Sequence, residues 1–243
     1  MMMSLLTVSQ SAGYQPEKEK IHDLVHTKLK VDFNFKEKTM NGEAWLTAKP
    51  HFYSTNKITL DAKAMLIHQV LMDDKKLDYF YDNLKLIIDL PRAFSRTEEF
   101  TLYLKYTAQP EKVYQKGSAA ITDAKGLYFI NSDGSDKNKP TQIWTQGETE
   151  ASSCWFPTID APNQKTSQEI YITVPNKYVT LSNGELVHQT KKGKNRTDYW
   201  KFDQKHAPYL FFMGIGEYEI IEDSYKNIPV NYYVEKEYAP YAK

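Results

Sequence analysis

In the stretch Leu29-Lys30-Val31-Asp32-Phe33-Asn34-Phe35-Lys36-Glu37, apolar and polar residues alternate from Leu29 to Lys36. In an extended chain, successive side chains point to opposite faces. The four apolar residues therefore share one face, and the polar residues share the other. This period of two predicts a half-buried β-strand.

The same alternation returns at 83–90 and 100–108. The apolar faces there are Leu84, Leu86, Ile88 and Leu90 in the first segment and Phe100, Leu102, Leu104 and Tyr106 in the second. Further strands are predicted at 169–175, 198–204, 209–221 and 229–238, with the basic run 191–196 as a hairpin tip. Residues 117–140 are expected to form a polar surface excursion inside one domain. No amphipathic helix of ordinary length is found, so the predicted fold class is all-β.

The composition narrows the possible partners. The 243 residues contain 31 Lys plus Arg and 31 Asp plus Glu. Because this balance creates no global field, we expect no nucleic-acid partner. No apolar run approaches the length of a membrane span. The single cysteine, Cys154, excludes an internal disulfide and is interpreted as a small buried apolar residue.

The N-terminal segment differs from the rest of the chain. Residues 1–20 are predicted to be a leader, either disordered or the remnant of a secretory signal, and 21–243 to be one β domain. A signal remnant implies the cell envelope of a bacterium. Without a signal remnant, the sequence fits a cytoplasmic location equally well.

Two histidines have the spacing of a metal-binding motif. His22 and His26 have the spacing of a helical zinc site, in which two imidazoles one turn apart share the metal. That geometry needs a helix, yet the segment leads directly into the strand that begins near residue 27. We therefore expect no metal ligands here and assign no catalytic residue in this chain.

Several short motifs together resemble the N-terminal domain of the aminopeptidase N family of zinc metallopeptidases, which also includes leukotriene-hydrolase-like enzymes. The motifs are residues 26–33, 41–44 and 58–62, Gly126-Leu127-Tyr128, Trp155-Phe156-Pro157 with Asp160-Ala161-Pro162, Leu181-Ser182-Asn183-Gly184, and Tyr209-Leu210 with Gly214-Ile215-Gly216. Their order and spacing are similar to those of the family across nearly the whole chain.

The resemblance implies a saddle-like β domain, with a large twisted sheet and smaller flanking sheets. It also implies that Gln146 and Glu148 match the family's Q-x-E positions, which reach into the active site and meet the substrate's free α-ammonium. Glu150 is interpreted as surface charge. Zinc would be the cofactor of the intact enzyme, and the partners would be a peptide N-terminus and the chain's own catalytic domain.

The family's H-E-x-x-H helix and its G-x-M-E-N segment do not occur in this sequence. We therefore expect a noncatalytic N-terminal domain whose catalytic domain is absent from this chain. Thr158 and Ala161 depart from the family's F-P-C-x-D-E-P signature, which leaves substrate preference open. The alternative is a free-standing β-sandwich with no peptidase descent that binds a protein or glycan through exposed tyrosines.

Overall fold

The structure is a computed structural model that describes residues 19–114 and 123–242. The strands are β1 (His22–Asn34), β2 (Thr39–Pro50), β3 (Thr55–Asp61), β4 (Met65–Met72), β5 (Lys75–Lys76), β6 (Tyr79–Tyr81), β7 (Lys85–Phe94), β8 (Phe100–Ala108), β9 (Leu127–Ile130), β10 (Gln142–Thr145), β11 (Thr166–Pro175), β12 (Val179–Ser182), β13 (Glu185–Lys192), β14 (Asn195–His206), β15 (Met213–Gly216), β16 (Tyr218–Tyr225) and β17 (Ile228–Glu235). In the described part of the chain, four 3-10 helices cover Pro110–Lys112, Ser152–Cys154, Pro208–Leu210 and Ala239–Tyr241. The all-β prediction is confirmed.

The strands form one large sheet and three smaller ones. The eight-stranded sheet has the order β13-β14-β11-β1-β2-β8-β4-β5, with β1 and β11 parallel. A four-stranded sheet has the order β12-β15-β10-β9, a three-stranded sheet the order β3-β7-β6, and β16 and β17 form a hairpin. This arrangement confirms the large sheet with smaller flanking sheets that the family resemblance implied.

One apolar core joins the inner faces of three sheets. Its alternate residues come from the large sheet, from β3 and β7, and from β10 and β15; they include Leu29, Leu46, Leu104, Ile170, Ile58, Leu60, Leu86, Ile88, Ile143, Met213 and Ile215. Strands β1 and β8 bury alternate residues, so the period of two read from the sequence predicted their inward residues correctly. Strand β15 is instead buried at every residue.

Three details of the sequence prediction are wrong. Leu84 is 56% exposed because it lies in the turn before β7, where its backbone N–H bonds the Asp82 carboxylate. The run 209–221 is not one strand, since the 3-10 helix at Pro208–Leu210 precedes β15 and a break at Glu217 precedes β16. The excursion at 117–140 contains strand β9, and its first six residues lie outside the described part of the chain.

The remaining predictions concern the basic run, the leader and membrane spans. The basic run forms the turn between β13 and β14, as predicted. Residues 1–18 of the predicted leader lie outside the described residues, so the boundary near residue 20 stays a prediction. Within the described ranges, no helix has the length and apolarity that crossing a membrane requires.

Candidate functional site

Gln146 and Glu148 lie in the loop that follows strand β10. The Gln146 backbone N–H donates to the Gly126 carbonyl at 3.0 Å, which extends the β9–β10 ladder by one residue. Gln146 is half-buried and Glu148 is exposed. Neither side chain has a hydrogen bond or ion pair with any residue that the structure describes. Both side chains are therefore available to a ligand or another domain.

Gly147 allows this loop to pack closely against Tyr209 and Ser152. A Cβ at this position would lie 2.3 Å from the Tyr209 carbonyl oxygen and 2.5 Å from Ser152 Oγ. Real Cβ atoms do not approach that closely, so only glycine allows this contact. The Ser152 hydroxyl in turn donates to the Pro208 carbonyl at 2.8 Å. The 3-10 helix at Pro208–Leu210 therefore forms one wall of the loop.

The segment after the loop is buried. The Ala151 N–H donates to the Gly147 carbonyl at 2.8 Å, and Trp155 and Phe156 are both fully buried. Phe156 stacks on Phe211 with 5.0 Å between ring centroids. Trp155 and Phe156 form an apolar anchor that holds the loop in the core. This anchor explains why the apolar residues follow so closely on the polar Gln146 and Glu148.

Cys154 lies inside the same anchor. Its thiol is buried, and burial raises its pKa to about 12. A thiol with so high a pKa stays protonated near neutral pH and is a poor nucleophile. Cys154 is therefore a small buried residue, as interpreted from the sequence.

Two buried carboxylates tie the anchor to strand β3, and the sequence did not single them out as site residues. Asp160 is 2% exposed, and its Oδ2 accepts the Ser153 N–H at 2.9 Å. The Asp160 N–H donates to Asp61 Oδ2 at 2.9 Å, and Asp61 pairs with Lys85. Burial raises the pKa of Asp160 to about 6. Asp61 and Asp160 are 99 residues apart, and no local pattern predicts their contact.

Lys63 adds two bonds to the same segment. Its N–H donates to the Ser153 carbonyl at 2.8 Å, and its Nζ donates to the Glu150 carbonyl at 2.5 Å. Glu150, interpreted from sequence as surface charge, is half-buried. The loop carrying Gln146 and Glu148 is thus fixed on one side by β9 and β10, and on the other by the end of β3.

His22 and His26 lie in a strand and not in a helix, so they do not have the geometry of a helical zinc motif. Both residues belong to β1, and the His26 Nε2 lies 3.3 Å from Glu169 Oε1. No group of three or more His, Cys, Asp or Glu side chains in the described ranges is arranged to hold a metal ion. The zinc that the family resemblance implies is expected in the catalytic domain of the intact enzyme, so no metal-dependent step is derived for the residues of this chain.

The decisive comparison is with protein families. The model for the peptidase M1 N-terminal domain matches residues 19–210, which is most of the chain. The chain belongs to the peptidase M1 N-terminal domain family. This M1 domain also has the fold of a solved M1 zinc metallopeptidase from Deinococcus radiodurans, with a TM-score of 0.73 over 86% of this chain and 45% of that one. At 17% identity, that likeness shows the fold alone.

Two curated relatives of this M1 domain carry different names. Leucine aminopeptidase 2 of Vanderwaltozyma polyspora is 28% identical over 202 residues, which cover 81% of this chain and 28% of that protein. Transcription initiation factor TFIID subunit 2 of Danio rerio is 22% identical over 224 residues, which cover 79% of this chain and 19% of that protein. The matched part of the chain thus covers 28% of the first relative and 19% of the second.

Proposed function

We propose that this M1 domain is the noncatalytic part of a zinc aminopeptidase and recognises the α-ammonium of a peptide substrate through Gln146 and Glu148. One observation carries the proposal: Glu148 is an exposed carboxylate without a partner among the described residues, on a loop fixed at both ends by backbone hydrogen bonds. A carboxylate that pairs with no described neighbour is free to pair with a ligand cation.

The chemistry suits an exopeptidase, which must bind one end of a chain and reject its middle. A preplaced anion pairs with a free α-ammonium, whereas an internal peptide nitrogen carries no charge. The Gln146 side chain offers an amide oxygen that accepts a hydrogen bond from the same ammonium. Fixing the loop in advance reduces the ordering cost of binding.

Zinc and the catalytic residues would come from other parts of the intact protein. The solved relative named above is a zinc metallopeptidase and is longer than this chain. The role left for this chain is to hold and orient the substrate amine. The isolated chain, incubated with zinc and an aminoacyl chromogenic substrate, is expected to show no turnover.

The proposal is tested by Glu148→Gln in the full-length protein that carries this domain. The change keeps the shape of the side chain and removes its charge. Losing one partner of a desolvated ion pair costs about 2–5 kcal/mol. Steady-state kinetics on free-amine peptides should therefore show kcat/KM lower by roughly thirty-fold to several thousand-fold.

The matched control is Glu37→Gln. Glu37 is exposed in the turn between β1 and β2, beside Phe35, which packs against Phe129 of β9 away from the Gln146 end of that ladder. This variant should retain wild-type kinetics. Equal kinetics for Glu148→Gln and Glu37→Gln would show that Glu148 is misassigned.

A second candidate function rests on the similarity to TFIID subunit 2, a protein whose name is not that of a peptidase. A chain similar to this one can therefore belong to a subunit of a transcription initiation factor, and in such a protein this domain would act as a binding module. The family match removes the alternative of a sandwich unrelated to peptidases. The sequence of the full-length protein separates the two candidates, because an H-E-x-x-H helix is expected only for the peptidase.

A further inference from the structure

The eight-stranded sheet packs on the core with one face and turns the other towards solvent. In β1, β2, β8 and β11, buried residues alternate with residues that are partly or fully exposed. The smaller sheets share the core on the buried side, and the loop with Gln146 and Glu148 follows β10 of one of them. The solvent face of the large sheet is therefore a different surface from the candidate loop.

Two aromatic side chains lie together on this solvent face. Trp45 of β2 and Tyr103 of β8 are cross-strand partners, and their ring centroids are 5.1 Å apart. Both side chains are partly exposed. Such rings suit ligand contact, because each offers a large apolar area together with a polar group at its edge.

A cavity of about 370 Å³ lies beside this aromatic pair. Its polar lining includes Lys30, Lys105, Asp32, Glu43, Asn41 and Thr107. The Tyr103 hydroxyl donates to Glu43 Oε2 at 3.0 Å, and Lys30 Nζ lies 5.1 Å from the centroid of the Trp45 ring. Because these two contacts join the cavity to the rings, the cavity, Trp45 and Tyr103 form one surface, which we call the outer-face site.

The fixed charges of the cavity balance. Lys30 and Lys105 carry two positive charges, and Asp32 and Glu43 carry two negative ones. No ion pair joins any of these four side chains to another residue that the structure describes. A cavity without net charge does not select an anion or a cation, so its polar groups favour a neutral ligand.

A chain of hydrogen bonds positions the polar groups of the cavity. Asn41 Nδ2 donates to Asp32 Oδ1 at 2.9 Å, and the Thr107 hydroxyl donates to Asn41 Oδ1 at 3.1 Å. His68 Nε2 lies 2.9 Å from Thr107 Oγ1. An amide keeps a second N–H, and a carboxylate keeps further lone pairs, after these bonds are made. The cavity can therefore both donate to a ligand and accept from it.

We propose that the outer-face site binds a neutral oligosaccharide. A sugar ring presents C–H groups on its faces and hydroxyls at its rim, which matches aromatic rings beside a cavity of mixed donors and acceptors. One unit would occupy the cavity, with its hydroxyls bonded to Asn41, Asp32 and Glu43. The next unit would pack on Trp45, because side chains two residues apart on a strand share a face and lie about 7 Å apart.

The test is isothermal titration calorimetry of the full-length protein with neutral tetrasaccharides of glucose, galactose, mannose or N-acetylglucosamine. At least one of the four is expected to bind. Raising NaCl from about 0.05 M to about 0.5 M should change its Kd by less than about two-fold, since salt screens only contacts between charges. No binding by any of the four would overturn the proposal, and binding that is lost at high salt would overturn the neutral ligand.

Trp45→Ala should raise the Kd of the bound tetrasaccharide by about ten-fold or more, because truncating a central aromatic contact removes much of the binding energy. Trp45→Phe keeps a ring and should retain most of the affinity. Asn41→Ala, which removes hydrogen bonds of the cavity, should raise the Kd by about three-fold to ten-fold. The same Kd in the wild type and in Trp45→Ala would overturn the proposal.

The matched control is Trp144→Ala. It removes a partly exposed tryptophan of the four-stranded sheet, whose ring stacks on Tyr128 with 4.4 Å between centroids, and should leave the Kd unchanged. Equal weakening in Trp45→Ala and Trp144→Ala would show a general loss of structure and overturn the proposal. Trp45→Ala should also keep wild-type kcat/KM on short peptides, so this inference and the proposed function fail separately.

Discussion

Asp160 and His22 are buried titratable residues whose pKa values move in opposite directions. Burial raises the pKa of Asp160 from 3.8 to about 6 and lowers the pKa of His22 from 6.5 to about 4. The stability contribution of Asp160 is present below pH 3.8 and is lost as the pH rises through 6. That of His22 is present above pH 6.5 and is lost as the pH falls through 4. The two contributions oppose each other between pH 4 and pH 6.

Asp160→Asn should therefore gain stability relative to the wild type as the pH rises from 4 to 6. The asparagine oxygen can still accept the Ser153 N–H, while the cost of burying a charge beside Asp61 and Cys154 and near Lys63 disappears. A shift of 6 − 3.8 = 2.2 pKa units corresponds to about 3 kcal/mol. Urea unfolding of the chain at pH 4, 5, 6 and 7 measures the difference.

Asp133→Asn is the control for this experiment. Asp133 is exposed, and the Ser135 N–H lowers the pKa of its carboxyl group. Its contribution is present above pH 3.8 and is lost at lower pH, so its difference from the wild type should stay constant between pH 4 and pH 6. A constant difference for Asp160→Asn as well would show that Asp160 does not titrate in this range.

The hairpin β16–β17 has no buried residue, and it carries apolar residues at its tip. Tyr225 and Ile228, at its turn, are 64% and 63% exposed. Two-stranded hairpins without a packed face are marginally stable in water. Its base is tied to the four-stranded sheet by the bond from Gln142 Nε2 to Glu235 Oε1 at 2.9 Å.

Amide hydrogen exchange should therefore be much faster in this hairpin than in the β1–β2 hairpin of the large sheet. Strands β1 and β2 lie between other strands and bury alternate residues in the core, so their amides open only with large-scale unfolding. Mass spectrometry of peptides covering 218–235 and 22–50 makes the comparison. Equal protection in the two segments would mean that the exposed hairpin is stabilised by contacts of its own.

The elements that could be predicted from sequence are those with one buried face. The residues Leu29 and Val31 of β1, and the whole apolar set of β8, are buried as their alternation indicated. Strand β9 was missed because four residues are too few to show a period. The contact between Asp61 and Asp160 could not be predicted either, since it depends on the end of β3 pairing with Thr158, far along the chain.

The candidate site was located by family resemblance. Gln146 and Glu148 lie together in one fixed loop, and their role stays a prediction. What periodicity could not show is how that loop is held: Gly147 touches Tyr209, and Lys63 bonds Glu150 and Ser153. These contacts join segments far apart in sequence, and they exist only once several sheets have packed on one core.

At the scale of the whole molecule, the sheets form a scaffold that holds the candidate loop with Gln146 and Glu148 in place. The large sheet supplies most of the core, and the smaller sheets fix β9, β10 and the end of β3 around the Gln146–Glu150 loop. The chain belongs to the M1 N-terminal domain family, and the proposed function places it inside a longer protein. Under the proposed function, activity depends on how this loop meets the catalytic part of the intact protein.

Amine recognition by Glu148 can be measured directly by comparing two competitive inhibitors of the full-length protein, an aminoacyl amide and the same molecule without its α-amino group. The wild type should bind the amine-bearing inhibitor more tightly, and Glu148→Gln should reduce that preference by roughly thirty-fold or more, which corresponds to about 2 kcal/mol. The same ratio of inhibition constants in the wild type and in Glu148→Gln would contradict the assignment of this carboxylate to the substrate amine.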